Sequence, residues 1–580
     1  MKILVFVKQV PDVNKIMFDP KTNRIIREGV PLMMNSFDKK AVEEAIRIKE
    51  KIGAETFVAS MGPPQAIDVL NEAMRMGIDH GFLITDRKFG GSDTLATSRI
   101  LSRFASEIKP DVILMGKYSL DGETSQVPPE VAVMLGYSFK SSISKLEFEG
   151  NEAVVEHENE DGLYSMRISL PAVFSVSEKI NRARAIKPDA PDFTKSIVTV
   201  DSNRLGIQST GVEMSPTVVT GTSSLESKRN CEFIAPDQQA FVKVLQIIRS
   251  HKGTGSGQNF IQMPEFVAGR KLILGVALDD TQVSGEIASK ISELSSGRNL
   301  NPVMFGNIDP DQLKGMPVPL YYHLASMDLN MFFHSLLGFI KNEKPEYVVF
   351  PSTVRGREVA GKIAASLNLG LTADCVDLSI ESGRMVQYKP AFGGSIIASI
   401  YSKTKPEMAT VRPGMFRALR SMGRFEVREV KPDPSVKDET ITSFTPVPSE
   451  YKPLRSSRLV IGIGRGVKGR DLIRTAVQLA DLLGGTVGAS RPVVDMGLIP
   501  RQQQIGLTGS SISPDIYIAL GVSGQANHVV GIRYCRKVIA VNSDPNAEIF
   551  KFADYGLVMD AAAFMSGMLN LLGNPSSGSS

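Results

Sequence analysis

The chain has 580 residues, of which 42% are hydrophobic and 22% charged, as in ordinary globular proteins. Its 66 Lys and Arg residues against 62 Asp and Glu leave a net charge of +4, which excludes the strongly basic footprint of a nucleic-acid-binding protein. No apolar run reaches the roughly 20 residues that span a bilayer, and no signal-peptide pattern precedes the first strand-like segment. We therefore expect a cytoplasmic protein that is not integral to a membrane. The three cysteines and six histidines are scattered, so no metal site is predicted.

The first 190 residues alternate short apolar runs with amphipathic stretches at helical period, which predicts a doubly wound parallel sheet. The predicted strands are 3–7, 56–60, 82–85 and 112–115, and the predicted helices are 39–51, 65–76 and 94–108. Ligands of such sheets bind beyond the carboxyl ends of the strands. A binding edge is therefore expected at residues 8–12, 61–64 and 117–126.

An internal repeat relates this region to a second α/β module. The segment Lys109–Leu114 is echoed by Lys344–Val349, and Pro406 follows Pro171 at the same shift of 235 residues (171 to 406). Two unrelated α/β units could share one such pattern, but a common offset for several landmarks favours two copies of one module. We predict these copies at about 1–190 and 269–430, separated by a Gly-rich linker.

A glycine-rich turn marks a further α/β domain near the carboxyl terminus. A strand pattern at 459–461 runs into Gly464, Gly466 and Gly469, which have the G-x-G-x-x-G spacing that can bring backbone amides against a pyrophosphate. The acidic residue expected about 20 positions later in an NAD site is missing, and the next strand ends in Ser490-Arg491-Pro492. The motif alone is weak, and a surface arginine at a strand end is the simpler alternative for Arg491.

Several segments in order give this domain a specific resemblance. Gly506–Gly509, Val522–His528, Val541–Pro545 and Ala553–Asp560 resemble the FAD-binding domain of the electron transfer flavoprotein α subunit. The first 260 residues resemble the β subunit, through Val7–Asp12, Asn35–Asp38 and Ala41–Ala45, and Arg355–Glu358 and Leu371–Asp374 resemble the first domain of the α subunit. The chain is identified as a member of this family in which a β subunit is fused ahead of an α subunit.

The resemblance implies an α/β fold with two related doubly wound parallel-sheet modules and a Rossmann-like FAD-binding domain. The expected segments are a β-type nucleotide-binding domain at 1–190, a β-subunit arm packing on the FAD domain at 191–250, a linker at 251–268, an α-subunit amino-terminal domain at 269–450, the FAD-binding domain at 451–573 and a polar tail at 574–580.

One FAD is expected in the α-type site. The resemblance places Arg465 and residues 523–528 at its phosphates and nearby polar groups, and Asn542 and Asp560 at its adenosine end. The implied cofactor-binding residues are Arg465, Ser490, Arg491, Gly506, Leu507, Thr508, Gly509, Ser523, Gly524, Gln525, Ala526, Asn527, His528, Asn542 and Asp560.

Three of these residues are expected to tune the flavin. The guanidinium of Arg491 and a partly cationic imidazole at His528 would stabilise negative charge on the reduced ring, and the hydroxyl of Thr508 would donate to a ring nitrogen. Leu507 stands where many family members have Gln, so one polar flavin contact is expected to be absent. The alternative for His528 is a structural histidine with its hydrogen bonds satisfied.

The β-type site allows two interpretations. Simple members of the family have a loop resembling Asp-Asp-Asp-x-Asn-Gln-Thr-Gly that binds AMP, whereas electron-bifurcating members have Asp-Gly-Asp-Thr-Ala-Gln-Val and a second FAD that accepts hydride from NADH. Residues 121–127 read Asp-Gly-Glu-Thr-Ser-Gln-Val, which favours the second FAD. The expected residues of this site are Phe6, Lys8, Asn35, Phe37, Asp38, Met61, Lys117, Asp121, Gly122, Glu123, Thr124, Ser125, Gln126 and Val127.

The resemblance implies an electron carrier rather than a conventional enzyme. Electrons would pass from dehydrogenases or NADH to a membrane-associated quinone oxidoreductase or to ferredoxin, by flavin-based electron bifurcation. The alternatives are a simple carrier with one FAD and one AMP, and a regulatory nucleotide-binding protein. The family's partner-recognition segment resembles Asn-Glu-Pro-Arg-Tyr-x-x-Leu-Pro, and residues 181–188 keep little of it, so the dehydrogenase partner is expected to differ from the usual acyl-CoA enzymes.

Overall fold

A computed structural model describes most of the chain. The described residues are 1–12, 17–18, 25–26, 31–159, 161–224, 229–251, 260–278, 280–391, 396–432, 439–446, 451–454, 457–506 and 509–573. They divide into two compact units. The first unit comprises 1–224, 262–412 and 421–447, and the second comprises 225–261, 413–420 and 448–580.

The strands of the described residues are numbered in chain order. They are β1 Lys2–Phe6, β2 Gln9–Pro11, β3 Met17–Phe18, β4 Ile25–Ile26, β5 Leu32–Met34, β6 Glu55–Met61, β7 His80–Ile84, β8 Val112–Gly116, β9 Ser138–Glu149, β10 Glu152–Glu158, β11 Gly162–Ser169, β12 Ala172–Val176, β13 Val198–Val200, β14 Thr217–Ser224, β15 Glu232–Phe233, β16 Phe260–Gln262, β17 Lys271–Ala277, β18 Leu300–Gly306, β19 Leu320–Leu324, β20 Tyr347–Pro351, β21 Leu371–Cys375, β22 Asp377–Glu381, β23 Arg384–Ala391, β24 Ile396–Ser402, β25 Glu407–Val411, β26 Arg420–Met422, β27 Glu426–Val430, β28 Glu439–Pro446, β29 Leu459–Ile463, β30 Thr486–Ala489, β31 Ile516–Leu520, β32 Lys537–Asn542 and β33 Tyr555–Val558.

The α-helices follow the same numbering. They are α1 Ser36–Ile52, α2 Ile67–Met76, α3 Thr94–Ile108, α4 Val127–Leu135, α5 Gly211–Met214, α6 Gln238–His251, α7 Thr281–Ser295, α8 Pro310–Leu313, α9 Leu329–Glu343, α10 Val354–Leu367, α11 Arg470–Leu482, α12 Arg491–Asp495, α13 Ala526–Val529 and α14 Ala561–Gly573.

The predicted elements of the first region are present with small shifts at their ends. Helix α3 begins and ends as predicted, because Asp93 caps it by accepting a hydrogen bond from the Ala96 amide at 3.0 Å. Helix α1 begins three residues earlier than predicted, since Phe37 and Asp38 are buried in its first turn. Helix α2 begins later, because the proline at position 64 opens a 3₁₀ turn before it.

The first unit contains two sheets with one topology. Seven parallel strands run in the order β13-β7-β6-β1-β8-β12-β9 in the first sheet and β27-β19-β18-β17-β20-β25-β21 in the second. Strand β1 is fourth in the first order and β17 is fourth in the second. The strands that follow each of them along the chain occupy matching positions in the two orders. The shared order confirms two related doubly wound modules.

The two modules exchange strands. Strand β14, from the first half of the chain, pairs antiparallel with β24 in the sheet β14-β24-β23-β22, and β28, from the second half, pairs antiparallel with β11 at the edge of the first sheet. Each exchange satisfies a row of backbone groups that an edge strand would leave open. The modules are therefore joined by main-chain hydrogen bonds in both directions.

A buried ion network lies at this junction. The Lys140 ammonium on β9, whose side chain is 2% exposed, lies 2.7 Å from a carboxylate oxygen of Glu439 on β28 and 3.7 Å from one of Glu358 on α10. The Ser141 hydroxyl donates to the other oxygen of Glu358 at 2.8 Å. Removing one partner of such a network leaves an uncompensated buried charge, which typically costs about 3–5 kcal/mol. The network therefore ties three distant chain segments together.

The second unit is built on one parallel sheet. Its strand order is β15-β33-β32-β31-β29-β30, with every neighbouring pair parallel. Strand β15 and helix α6 come from the segment before the second module; β15 extends the sheet beside β33, and Phe241 of α6 packs 6.2 Å from Phe564 of α14, centroid to centroid. Residues 191–224 lie in the first unit, with β13 at the edge of its sheet.

Within the described part of the chain, no helix is both long enough and apolar enough to cross a membrane.

Replacement of Glu130 by Gln tests whether this carboxyl group, buried where α4 packs on α3, makes the stability of the protein depend on pH. Burial raises the pKa of the Glu130 carboxyl from 4.5 to about 8. The Ser98 hydroxyl donates to one of its oxygens at 2.7 Å, and the Thr94 hydroxyl oxygen lies 3.2 Å from the other. The folded chain then holds a proton that the unfolded chain has released, so stability falls as pH rises from 4.5 to 8, by about 1.4 kcal/mol per pH unit. Glu130→Gln should remove this dependence.

Urea unfolding of the variant and of the wild type at pH 5 and pH 7.5 measures the effect. The variant should gain about 2–4 kcal/mol relative to the wild type between the two pH values. Glu147→Gln is the matched control, because this side chain is 45% exposed in the same unit. Equal pH dependence in the Glu130→Gln variant and in the wild type would contradict the assignment.

Candidate nucleotide sites

The first predicted site lies where the strand order of the first sheet reverses. Strand β1 lies between β6 and β8, and the chain proceeds from β1 to β6 on one side and later to β8 on the other. Lys8, Met61 and Lys117 follow the carboxyl ends of these three strands. A topological switch point of this kind is the usual ligand crevice of a doubly wound sheet.

Asp38 braces the two central strands at this point. One oxygen of its carboxylate accepts the Lys8 amide at 2.8 Å and the other accepts the Gly116 amide at 3.1 Å. A Cβ at Gly116 would lie 2.3 Å from the carboxylate, so only glycine allows this approach. Burial raises the pKa of Asp38 to about 7, against the hydrogen bonds from Asn35, Lys8 and Gly116. The side chain of Asp38 is therefore committed to the framework of the site.

Asn35 and Lys8 fix the loop after β8. The Asn35 amide donates to the Tyr118 carbonyl at 2.9 Å, and its oxygen accepts the Leu120 amide at 3.3 Å. The Lys8 ammonium lies 2.6 Å from the Asp121 carboxylate. These contacts hold residues 117–121 across the switch point.

The remaining aromatic and apolar predictions divide between wall and core. Phe37 lies beneath the Lys117 ammonium, which is 4.8 Å from its ring centroid. The Lys117 ammonium also pairs with Glu178 at 2.6 Å. Phe6 is buried and packs on Phe104 at 6.4 Å between centroids, so its side chain belongs to the core of the sheet rather than to an open site.

The loop at 121–127 has an unusual backbone. Glu123 and Ser125 adopt φ values of 51° and 56°, a region that costs a residue with a side chain roughly 1–2 kcal/mol. The Gly122 amide donates to the Asp121 carboxylate at 2.8 Å, and the Gln126 backbone amide donates to the Thr124 hydroxyl oxygen at 3.5 Å. One carboxylate oxygen of Glu123 is buried and has no hydrogen-bond partner among the described residues. A buried acceptor without a partner requires an explanation, and a donor from a bound molecule is one that the proposed site would supply.

The end of the loop is buried against the second module. The Gln126 side chain is 1% exposed; its oxygen accepts the Thr94 hydroxyl at 2.8 Å and its amide donates to the Leu371 carbonyl at 3.0 Å. Val127, the last predicted residue, begins α4. Gln126 therefore links the loop to strand β21.

A charged cluster of the second module lies beside this loop. Arg357 donates to the Ser125 hydroxyl at 3.4 Å and to the Asp374 carboxylate at 2.8 Å, and Arg412 donates to the other Asp374 oxygen at 3.1 Å. The two guanidiniums hold the pKa of Asp374 well below its usual range despite burial. Burial raises the pKa of Glu123, although Arg412, the Lys389 ammonium and Arg357 oppose the shift.

The sequence did not indicate that these charged residues belong to the site. Arg357 and Asp374 stand in the segments 355–358 and 371–374, which carried only a family resemblance, and Arg412 carried no signal. They lie more than 200 residues from the loop in sequence. Only the packing of one module on the other brings them together.

The predicted FAD residues gather at one edge of the second unit's sheet. Arg465 follows β29, Ser490 and Arg491 follow β30, residues 521–528 follow β31, and Asn542 and Asp560 end or follow β32 and β33. Because all these strands are parallel, their carboxyl ends share an edge. The sheet therefore places the described members of the predicted set together.

The glycines of the G-x-G-x-x-G turn pack against a neighbouring loop. The Gly464 amide donates to the Leu520 carbonyl at 2.8 Å, and the Gly466 amide donates to the Gly521 carbonyl at 3.1 Å. A Cβ at Gly464 would lie 2.1 Å from the Gly521 carbonyl oxygen. These two amides are engaged within the protein, so the turn brings two loops together rather than offering both amides to a pyrophosphate.

The loop after β31 is shaped by Gly524. This residue has a φ of 90°, and a Cβ there would lie 2.1 Å from the Ile549 nitrogen. The Ile549 amide donates to the Ser523 carbonyl at 3.2 Å, and the Gln525 carbonyl accepts the amides of His528 and Val529 at 2.9 and 3.1 Å. The loop is therefore a fixed turn that opens into helix α13.

Two predicted ligands have framework roles as well. The Asn542 amide donates to the Val522 carbonyl at 2.9 Å, and its oxygen accepts the Asp544 amide at 3.0 Å. Asp560 caps α14 by accepting the amides of Ala562 and Ala563 at 2.9 and 3.1 Å. Both side chains hold the ends of their strands in place.

The two predicted arginines are exposed at the same edge. The Arg491 side chain is 63% exposed and lies 3.3 Å from the Asp495 carboxylate one helical turn later. Ser490 is buried, and its amide donates to the Ile463 carbonyl at 2.9 Å. Arg465 is exposed on the turn after β29. Exposed guanidiniums at the carboxyl edge of a parallel sheet suit phosphate and electron-rich ligands.

His528 differs from the cationic imidazole expected. Its side chain is 7% exposed, and burial lowers its pKa to about 4 although the Ile505 carbonyl favours the protonated ring. The imidazole of the structure is therefore neutral at pH 7. Its Nε2 lies 2.7 Å from the hydroxyl of Tyr517, a residue that sequence reasoning did not select.

Leu507 and Thr508 lie outside the described residues, as does the side chain of Ala526. The residues flanking the pair are well fixed. The Gly506 amide donates to the Ser510 carbonyl at 3.1 Å and the Gly509 amide donates to the Gly506 carbonyl at 2.9 Å. A Cβ at Gly506 would lie 2.4 Å from the Asn527 carbonyl oxygen, so this loop packs directly on the loop that carries His528.

Comparisons with known proteins agree with this architecture. The family described as electron transfer flavoprotein domain matches residues 22–204 and 324–435, which fall in the two related modules. The family described as electron transfer flavoprotein FAD-binding domain matches residues 453–533 of the second unit.

Curated relatives match the two halves separately. The chain is 40% identical over 234 residues to an electron transfer flavoprotein subunit beta of Thermoanaerobacterium thermosaccharolyticum, covering 40% of this chain and 90% of that protein. It is 42% identical over 227 residues to the subunit alpha of the same organism, covering 38% of this chain and 68% of that protein. A caffeyl-CoA reductase-Etf complex subunit, CarD, of Acetobacterium woodii is 37% identical over 240 residues, covering 40% of this chain and 92% of that protein.

The β-type match covers the amino-terminal region and the α-type match lies in the remainder of the chain. Together with the repeated modules and the FAD-binding domain, these matches show that the chain belongs to the electron transfer flavoprotein family, with a β part fused ahead of an α part on one chain.

Proposed function

We propose that this flavoprotein carries two FAD molecules and oxidises NADH at the β-type site by flavin-based electron bifurcation. The observation that carries the proposal is the loop Asp-Gly-Glu-Thr-Ser-Gln-Val at the switch point of the first sheet, with a buried Glu123 oxygen that lacks a partner among the described residues. Similarity to the CarD subunit of a caffeyl-CoA reductase-Etf complex supports this direction.

The chemistry of the β-type site fits a phosphate-bearing ligand. Arg357 and Arg412 of the second module, with the Lys389 ammonium, place cationic groups next to Glu123 and Ser125. Asp374 neutralises part of that charge through both guanidiniums. The residues proposed to contact the nucleotide are those of the loop 121–127 and Lys8, Met61 and Lys117 at the strand ends, while Asn35 and Asp38 hold these groups in place.

In the α-type site, the described geometry supports the proposed roles. FAD, when bound, supplies one- or two-electron redox chemistry. Arg465 and the turn at 523–525 would hold its phosphates, Arg491 would stabilise negative charge on the reduced ring, and His528 would donate a hydrogen bond without carrying a charge. The exposed guanidiniums and the buried imidazole are a donor set that fits this group.

The proposed partners are dehydrogenases as donors and a quinone oxidoreductase or ferredoxin as acceptor. The segment 181–188 is bound to helix α1 in this protein. Arg184 pairs with Glu43 at 2.9 Å and with Glu50 at 2.6 Å, and Ile186 packs on the core of the first sheet. A recognition surface in this region would consist of a segment already fixed in position. One of its two arginines, Arg184, is neutralised within the chain.

The second candidate function is a simple carrier with one FAD and one AMP. The departures at Glu123 and Ser125 from the bifurcating pattern favour this candidate, because they change two of the loop positions. The same switch point and loop would accommodate the phosphate of either nucleotide. The two candidates therefore differ in ligand content and in reactivity with NADH.

Ligand content is the first test. Denaturation of the purified protein, followed by chromatography of the released nucleotides, should yield two FAD per chain. One FAD with one AMP would establish the simple carrier and refute the two-FAD proposal. Absence of flavin would refute both candidates.

Anaerobic addition of NADH, without a dehydrogenase, should then bleach flavin absorbance within the mixing time of a stopped-flow experiment; a flavin that stays oxidised would refute NADH oxidation.

Arg491→Ala is expected to lower the midpoint potential of the α-site flavin. Two unit charges at 4 Å in water interact by about 1 kcal/mol, equivalent to roughly 40 mV for one electron, and loss of the guanidinium removes this stabilisation from the reduced ring. Spectroelectrochemical titration measures the shift. Arg474→Ala is the control, because it removes an exposed guanidinium paired to Asp471 on α11. An unchanged or higher potential for Arg491→Ala would contradict the proposed role.

Gly524→Ala is expected to lower FAD retention. The new Cβ would overlap the Ile549 nitrogen at 2.1 Å, so the turn at 523–525 must move from the edge where the phosphates are proposed to bind. Gly497→Ala separates strain from displacement, because Gly497 also has a positive φ, 68°, but a Cβ there meets no atom within 4 Å. FAD per chain, measured by absorbance after desalting, should fall for Gly524→Ala and stay near wild type for Gly497→Ala. Equal retention would refute the phosphate role of the turn.

A further inference from the structure

Tyr517 occupies a place that only a neighbouring glycine allows. It is the second residue of β31 and is fully buried. A Cβ at Gly462, on the adjacent strand β29, would lie 1.7 Å from the Tyr517 hydroxyl oxygen. The ring therefore passes over β29 at the position where that strand has no side chain, and its hydroxyl reaches the carboxyl side of the sheet.

The hydroxyl reaches His528 there. The Tyr517 oxygen and His528 Nε2 are 2.7 Å apart, and both side chains are buried. A buried tyrosine hydroxyl normally finds a partner, because an unpaired polar group in the interior costs about 1–3 kcal/mol. Two arrangements are compatible with this distance: the hydroxyl donates to Nε2, or an Nε2 hydrogen donates to the hydroxyl oxygen.

The surroundings favour the first arrangement. If the hydroxyl donates, its hydrogen is satisfied and the ring proton resides on Nδ1. If Nε2 donates instead, the hydroxyl hydrogen needs another acceptor, and Nδ1 presents a lone pair in a region where the Ile505 carbonyl favours protonation of the ring. Nδ1 itself is buried and makes no well-formed hydrogen bond among the described residues, so the Ile505 carbonyl, which favours a proton on the ring, is the acceptor available to it. The hydrogen bond made by one nitrogen of a neutral histidine decides the tautomer.

We propose that Tyr517 is a positioning residue of the α-type site, which donates its hydroxyl hydrogen to His528 Nε2 and so fixes the neutral tautomer with the proton on Nδ1. The histidine then carries an N–H group, rather than a lone pair, at its buried Nδ1. This inference rests on the proposed role of His528 in tuning the flavin of the α-type site. It explains how an imidazole buried too deeply to carry a charge can still stabilise electron density on the ring.

The tautomer can be measured without the cofactor. In full-length protein stripped of flavin and labelled with ¹⁵N-histidine, the Nε2 resonance of His528 should lie in the range of an unprotonated nitrogen at pH 7, and Nδ1 in the range of a protonated one. His528→Asn identifies the resonances among the six histidines of the chain. Protonated Nε2 in the wild type would overturn the proposal, whatever the behaviour of the variants.

Tyr517→Phe is the specific test, because it removes the hydroxyl and retains the ring. The His528 Nε2 signal should move toward the protonated range, and the α-site flavin potential of the reloaded protein should become more negative. Tyr555→Phe, on β33 of the same sheet, is the matched control and should change neither quantity. A Tyr517→Phe variant with wild-type nitrogen shifts would overturn the proposal.

A double variant separates this inference from the proposed function. If Tyr517 acts through His528, the potential of Tyr517→Phe with His528→Asn should equal that of His528→Asn alone. A potential that responds to His528→Asn but not to Tyr517→Phe refutes the role of Tyr517 and keeps His528 at the flavin. A potential that responds to neither substitution refutes the place of His528 in the proposed site, while the nitrogen shifts still report on the tautomer.

Discussion

The geometry of parallel strands governs both proposed nucleotide sites of this protein. Parallel strands place all their carboxyl ends at one edge of a sheet, and the reversal of strand order opens a crevice at that edge. The first sheet gathers Lys8, Met61 and Lys117 in this way, and the sheet of the second unit gathers Arg465, Arg491 and His528. Residues many tens of positions apart along the chain become neighbours because their strands end together.

Each proposed site also uses polar side chains to hold its own framework in position. Asp38 uses both carboxylate oxygens to hold the ends of β1 and β8, Asn542 joins the ends of β31 and β32, and Asp560 caps α14. A family resemblance marks such residues as ligands, since they stand at the site. Their hydrogen bonds show a second role, which is to keep backbone amides and loops in the positions that a ligand requires.

The interlock of the two modules adds groups that neither module has alone. Strand β14 of the first half of the chain pairs with β24, and strand β28 of the second half pairs with β11. The buried ammonium of Lys140 joins Glu358 and Glu439 at the junction. This packing brings Arg357 next to Ser125. The charge environment of the β-type loop therefore depends on both modules, because Arg357, Arg412 and Lys389 come from the second module, Lys8 comes from the first, and the carboxylates come from both.

The α/β class, the repeated module and the family can be read from the sequence, because hydrophobic periodicity and turn motifs are local and survive in the order of residues. The sequence also points to the loops of the proposed sites. Tertiary structure alone decided which groups meet: Arg412 with Asp374, Gly462 beneath Tyr517, and Tyr517 with His528. It also decided that His528 is neutral rather than cationic. Burial and long-range pairing depend on how strands pack, and no spacing along the chain encodes the resulting loss of water around a side chain.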